Sequence, residues 1–230
     1  MSLSIIVPVY NEEENLIELY ERLTKAVKDF DYEIIFVDDG SRDNSYKILK
    51  DIYNQDKRVK IVKLKRNFGQ IPAILAGIKM AKKEVIITLD ADLQNPPEEI
   101  HKFVKKIKEG YDIVFGYRMK RKDYFLRKFC SFIFWKLISL KTKTNLKDPG
   151  CGFNAIKKGV VEKVLKKYGE NIRNAKVLLM KETDSFCQIG IRHSPRYRGK
   201  SKYGFFRLLI YSFYLLKESF LFRNRERLLI

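Results

Sequence analysis

Between residues 3 and 116, five short apolar runs alternate with four stretches of helical periodicity. No other feature restricts the fold as much. The runs at 3–9, 33–38, 59–64, 85–90 and 112–116 are of strand length and rich in Val, Ile and Phe. The stretches between them, 12–30, 44–55, 70–82 and 97–110, repeat apolar residues at helical spacing, as Leu16, Leu19, Leu23 and Val27 do in the first. Such alternation builds βαβ units around a mostly parallel sheet, covered on both faces by helices. The expected class is therefore α/β, with a Rossmann-like sheet. There is no internal repeat and no low-complexity linker, so residues 1–204 are expected to form one domain and 205–230 a C-terminal appendage.

In open parallel sheets, ligands bind beyond the carboxyl ends of the strands. In this sequence those ends carry Tyr10-Asn11-Glu12, Asp38-Asp39-Gly40-Ser41, Asn67-Phe68-Gly69, Asp90-Ala91-Asp92 and Gly116-Tyr117-Arg118. One cleft thus collects carboxylates, an amide, glycines and an arginine. Asp90 and Asp92 follow a run that should be buried, and two acids so placed are costly unless a cation joins them. Oxygen ligands suit Mg²⁺ or Mn²⁺, with Gln94 adding a neutral oxygen. The same acids also suit an N-cap cluster before Pro96-Pro97. Asp39 suits a base or ribose, and Gly40 allows close backbone approach. Ser41 and Asp43 also suit capping of the next helix. Two phosphate devices are missing. The first strand is not followed by G-x-G-x-x-G, and the chain has no G-x-x-x-x-G-K-[ST]. Pro8 and Tyr10 stand there instead, and a tyrosine can stack on a base.

Charge divides the chain. Residues 1–100 hold 15 Lys/Arg against 18 Asp/Glu, and residues 101–230 hold 32 against 10, within an overall formal charge of +19. A basic half next to an acidic one implies a second, anionic partner: nucleic acid, an anionic membrane surface or a phosphorylated substrate. The basic residues form no nucleic-acid reading module, so no nucleic-acid partner is expected. Cys130, Cys151 and Cys187 are too few and too scattered for a disulfide framework, which suits a reducing compartment. The N-terminus has no basic n-region or cleavage site, and no signal peptide is expected.

Four segments, Ile6-Val7-Pro8-Val9-Tyr10-Asn11-Glu12-Glu13, Val37-Asp38-Asp39-Gly40-Ser41, Arg66-Asn67-Phe68-Gly69 and Asp90-Ala91-Asp92-Leu93-Gln94-Asn95-Pro96-Pro97, occur in this order. Together they resemble family 2 glycosyltransferases of the GT-A fold, in the dolichol-phosphate mannosyltransferase and polyprenyl-phosphate glycosyltransferase branch. The resemblance spans roughly residues 1–205. It implies inverting, metal-dependent transfer of a hexose from a nucleotide-diphosphate sugar, UDP- or GDP-linked, to a dolichyl or undecaprenyl phosphate. Carried over by position, it assigns Pro8, Tyr10, Glu12, Asp39, Asp90 and Ala91 to the donor nucleotide. Asp90, Asp92 and Gln94 go to the metal and diphosphate. Asp92, Arg118, Arg196 and Lys202 are the catalytic set, and Arg118, Arg127, Ser131 and Ser201 meet the acceptor phosphate.

A phosphate acceptor also fits the chemistry. Transfer to a hydroxyl needs a general base, and relatives that do this carry a Glu-Asp pair and a Gln-x-x-Arg-Trp motif. Glu182-Thr183-Asp184 and Gln188-Ile189-Gly190-Ile191-Arg192-His193 match neither, though Glu182 and Asp184 remain candidate bases. A phosphomonoester loses its second proton near pH ~6 and needs positioning, not deprotonation. Residues 120–140 and 205–222 mix aromatics with cations, and the longest uncharged run in the second is residues 208–216. That is far short of the ~20 residues a span needs. Both suit interfacial helices, which places the protein peripherally on the cytoplasmic face of a membrane. Packing on the domain or in a dimer is the alternative. The rival functions are a transferase acting on a glycan hydroxyl, a nucleic-acid-binding protein and a non-catalytic sugar-nucleotide module.

Overall fold

The computed structural model describes residues 1–119, 146–169, 172, 175–195 and 197. The described residues up to Met119 and from Gly150 onward belong to one compact unit. Expectations for 120–140, 205–222 and the boundary at 204 lie outside the described residues, as do Arg127, Ser131, Arg196, Ser201 and Lys202.

Seven strands form one sheet in the order β3-β2-β1-β4-β6-β5-β7. They are β1 (Ser2–Val9), β2 (Asp31–Asp38), β3 (Val59–Lys63), β4 (Val85–Thr88), β5 (Ile113–Arg118), β6 (Asn154–Lys157) and β7 (Phe186–Ile191). All neighbours pair in parallel except β6, which runs antiparallel to β4 and β5. The helices are α1 (Leu16–Val27), α2 (Ser45–Gln55), α3 (Gln70–Met80), α4 (Ile100–Lys108), α5 (Lys158–Tyr168) and α6 (Ala175–Glu182), with a 3₁₀ turn at Pro97–Glu99 before α4.

The α/β expectation and the first five strands therefore hold, with shifted ends. β4 stops at Thr88, so Asp90 lies beyond the strand, and β5 runs on through Arg118. Regular structure also resumes after residue 150, with β6, α5, α6 and β7. β6 has four residues and polar ends, and β7 is fully buried only at Ile191. Neither carries the continuous apolar run that marks a doubly covered strand.

β1 reverses the strand order: β2 and β3 extend to one side of it and β4 lies on the other. A crevice opens at such a switch point. Pro8 helps to open it. β1 pairs with β4 only over Leu3–Ile6 but with β2 as far as Val9. Proline has no N–H to give a ladder, and Pro8 stands where pairing with β4 has already ended. The core is apolar on both faces. α1 buries Leu16, Leu19, Leu23 and Val27, and the Phe103 and Phe153 rings stack with centroids 4.3 Å apart.

At the amino ends of the parallel strands, carboxylates are matched to cations; Glu33 and Asp56 are buried and Asp112 is partly exposed. Glu33 accepts from Lys60 Nζ (2.5 Å), Ser4 Oγ (2.7 Å) and the Lys82 N–H (2.6 Å). Burial alone would raise its pKa, but these donors together hold it below the usual carboxylate range. Asp56 is held low first by Arg58, which binds it through Nε and Nη2 (2.9 and 3.0 Å). Asp112 is held low by Lys157 Nζ (2.8 Å) and then Thr183 Oγ1 (2.8 Å). The last contact, with the Lys167–Glu182 ion pair (2.8 Å), corrects one expectation. Thr183 is bonded beside the start of β5, and Glu182 is engaged by Lys167 and Tyr168 (3.1 Å). The Glu182–Asp184 segment thus sits at the edge opposite the strand-end cleft, too far away to supply a base there.

Candidate active site

At the carboxyl ends, two loops zip together first. The Asn11 N–H donates to Ser41 Oγ (2.9 Å), Asn11 Oδ1 accepts from the Arg42 N–H (2.7 Å), and the Glu12 N–H donates to Ser45 Oγ (2.8 Å). Asn11 adopts φ 52°, a left-handed conformation that asparagine tolerates better than most residues. Tyr10 and Glu12 are thereby fixed beside the end of β2. Asp43 takes the Ser45 N–H (3.0 Å), in line with the capping alternative. Ser41 Oγ instead receives the Asn11 N–H.

Asp38 and Asp39 are both buried, at 0% and 3% exposure. Asp38 Oδ1 accepts the Ser41 N–H (3.0 Å), while its Oδ2 has no hydrogen-bond partner among the described residues. Asp39 spreads its two oxygens over the N–H groups of Phe68 (2.8 Å) and Gly69 (2.9 Å). Burial raises its pKa, partly offset by those two donors. Asp39 therefore organises the 66–69 loop, a role that its strand-end position did not announce. Gly40 makes this approach possible: it has φ +70°, and a Cβ there would lie 2.6 Å from the Arg66 carbonyl carbon.

That loop leads into α3, whose first residue reaches the acid motif. Gln70 Nε2 donates to Asp90 Oδ1 at 2.6 Å. On the other side stands Gly152, where a Cβ would fall 2.6 Å from Asp90 Oδ2. The Gly152 carbonyl is held by Thr88 Oγ1 (2.6 Å) and Asn154 Nδ2 (3.1 Å), and Lys176 Nζ donates to the neighbouring Cys151 carbonyl (2.8 Å). Asp90 is thus fitted into a cradle. Burial first, then the Asp92 charge, pushes its carboxyl up to about 6, against the pull of Arg118, Gln70 and Lys176. Asp92 Oδ1 accepts the Gln94 N–H (3.1 Å), and the buried Ala91 joins the two acids.

The structure thus brings Asp90, Asp92 and Arg118 into one electrostatic neighbourhood, with Gln94 beside them. Sequence patterning missed Gln70, Gly152 and Lys176. Gln70 opens a helix whose residues 71–78 are apolar, and Gly152 lies in the turn-rich stretch Asp148-Pro149-Gly150-Cys151-Gly152, so each left a faint signal. Lys176 left none. Among the described residues, no group of three or more His, Cys, Asp or Glu side chains surrounds a cation position. The donor set of two adjacent carboxylates, one raised by the other, fits a hard divalent ion that leaves coordination positions to a ligand.

Comparison with known proteins bears on this geometry. The model of glycosyl transferase family 2 matches residues 4–165. The undecaprenyl-phosphate 4-deoxy-4-formamido-L-arabinose transferase of Proteus mirabilis (strain HI4320) is 40% identical over 209 residues, which are 90% of this chain and 64% of that protein. The protein of the same description from Shewanella sediminis (strain HAW-EB3) is 41% identical over 216 residues, covering 93% of this chain and 65% of that one. The chain thus spans slightly under two thirds of these relatives. In fold it is similar to glucosyl-3-phosphoglycerate synthase from Mycobacterium tuberculosis, solved with Mn²⁺, uridine-diphosphate and phosphoglyceric acid. That match has a TM-score of 0.61 and 13% identity, and covers 87% of this chain and 72% of that one.

Proposed function

From the premise that this chain belongs to glycosyl transferase family 2, we propose that it moves a sugar, with inversion, from a nucleotide-diphosphate donor to a polyprenyl phosphate. The observation that carries this is the Asp90/Asp92 pair beside the β1/β4 switch point, where desolvation of Asp90 and the Asp92 charge outweigh the pull of Arg118, Gln70 and Lys176. The relatives' undecaprenyl-phosphate acceptor supports the lipid phosphate. Uridine-diphosphate and Mn²⁺ in the mycobacterial enzyme support a UDP-linked donor and a divalent ion. A UDP-linked 4-amino-4-deoxypentose derivative is preferred over GDP-mannose, since both relatives are named for such a sugar.

In this reading Asp90, Asp92 and Gln94 hold Mg²⁺ or Mn²⁺. The ion, when bound, neutralises the diphosphate as it leaves. Gln70 and Gly152 keep Asp90 in place. Pro8, Tyr10 and Glu12 line the nucleoside side of the crevice, and Asp39 serves it by fixing the 66–69 loop. Arg118, at the end of β5, draws the acceptor phosphate toward the donor carbon by charge-assisted bonds. A dianionic phosphate oxygen attacks directly, so no described side chain needs to take a proton. Arg127, Ser131, Arg196, Ser201 and Lys202 extend this phosphate-holding role, and residues 120–140 and 205–222 hold the protein peripherally on the cytoplasmic face. Among the described residues, no helix is long and apolar enough to cross a membrane.

The test is a product assay with undecaprenyl phosphate, Mn²⁺ and a panel of UDP- and GDP-sugars. A UDP-sugar should yield a glycosylated lipid phosphate, and chelator should stop it. Turnover undiminished in excess chelator sinks the metal role. Equal transfer to a soluble glycan hydroxyl sinks the lipid-phosphate acceptor.

A further inference from the structure

The loop that carries Asp92 and Gln94 holds a conformation its own residues do not favour. Leu93 has φ 59°, a left-handed value uncommon for a residue with a bulky side chain, and it is 2% exposed. Asn95 is 3% exposed, and its Oδ1 has no hydrogen-bond partner among the described residues. Such a backbone persists only when its surroundings over-determine it. Within the loop the Gln94 N–H donates to Asp92 Oδ1 (3.1 Å).

From α1, Arg22 Nε and Nη2 hold Glu98 (both 2.8 Å), and further holds come from residues late in the chain. β7 ends at Ile191, and the residues that follow return across the loop. The Ser194 N–H donates to the Gln94 carbonyl (2.9 Å), and Arg192 Nε donates to Glu99 Oε1 (2.8 Å). Glu99 is 1% exposed and closes the acid loop on the α4 side, with its Oε2 taken by Lys102 Nζ (2.5 Å). Gln94 and Glu99 bracket the strained stretch, and both are tied to residues 192–194.

We propose that the segment following β7 sets the shape of the acid loop, with Arg192 a positioning residue for the Asp92 and Gln94 side of the cation site. The role in metal binding rests on the reading of those residues given above; the brace itself does not. Glu99 supplies an internal control, because it has two cations and only one belongs to the brace. A merely charge-balancing role makes Arg192 and Lys102 equivalent. A positioning role makes Arg192 matter and Lys102 not.

The experiment compares Arg192→Met, Arg192→Lys and Lys102→Met in the full chain, by amide hydrogen exchange and by Mn²⁺ binding in electron paramagnetic resonance. Arg192→Met retains Lys102 on Glu99, so the buried carboxylate is not stranded. It should speed exchange of the Ser194 and Gln94 amides and weaken Mn²⁺ binding by about 10-fold, the lower end of what outer-shell partners of a metal contribute. Arg192→Lys should recover part of both losses, and Lys102→Met should stay within about 2-fold of the unmodified chain on that scale. Equal effects from Arg192→Met and Lys102→Met overturn the proposal, as does an Arg192→Met variant with unaltered exchange. An unmodified chain that binds no Mn²⁺ overturns the metal reading instead. The exchange pattern then decides the brace alone: faster Ser194 exchange in Arg192→Met only upholds it, and any other pattern ends it.

Discussion

The two edges of the sheet treat their carboxylates in opposite ways. At the amino edge Glu33, Asp56 and Asp112 each meet a lysine or arginine, and each is held below the usual carboxylate range. At the carboxyl edge Asp39 and Asp90 are both raised, chiefly by burial, and Asp38 Oδ2 lacks a hydrogen-bond partner among the described residues. At the amino edge the cations prevail; at the carboxyl edge the pull of Arg118 and Lys176 on Asp90 does not offset its desolvation and the Asp92 charge. Desolvating a carboxylate costs stability, even where Phe68, Gly69 and Gln70 donate to it. Under the proposed function, a cation with a diphosphate would relieve that cost at Asp90 and Asp92.

The sharpest break of this contrast is Asp92→Asn. Transfer and metal-dependent donor binding should fall by at least ~10²-fold, as when a group that stabilises developing charge is removed. The melting temperature should hold or rise, since a like charge beside Asp90 is gone. A large loss of stability would place Asp92 with the structural acids. The mirror experiment is Glu33→Ala, which leaves Ser4 and the Lys82 N–H without an acceptor. It should lower stability by about 2–3 kcal/mol, the low side for a broken buried pair because Lys60 is partly solvated. Mn²⁺ affinity of the folded protein should not change.

The pH dependence follows from the same shifts. Glu33, Asp56 and Asp112 have folded pKa values below their unfolded ones. Their stabilisation is therefore present above the unfolded carboxylate range of roughly 4 and is lost as pH falls through the folded values. Melting curves between about pH 5 and 2 should show an acid limb that Glu33→Ala flattens. Next in size is Gly152→Ala, whose methyl would intrude on Asp90. Calorimetric titration should register Mn²⁺ binding weakened by about 10-fold, with unaltered affinity counting against the cradle. Gln70→Ala should have the smallest effect, a loss of only a few-fold, because one neutral hydrogen bond is worth about 1 kcal/mol.

The strand-helix alternation, the parallel sheet and the strand-end location of Asp39, Asp90, Asp92 and Arg118 were legible in the residues themselves. Apolar periodicity is a local property, and in a parallel sheet it dictates which chain ends share a cleft. Beyond residue 118 that signal weakens. β6 is short and antiparallel, β7 is only half covered, and neither writes a continuous apolar run. The cradle of Asp90 was barely legible. Gln70, Gly152 and Lys176 lie 20, 62 and 86 positions away from it, and no spacing rule links them. Nor does Asp39 announce that its carboxylate is spent on the Phe68 and Gly69 N–H groups, or Glu182 that it faces the wrong edge. Residue types and local periodicity determined what chemistry the strand ends offer. Only the tertiary structure decided which acids are compensated, because compensation depends on which cations the folded chain brings within a few ångströms.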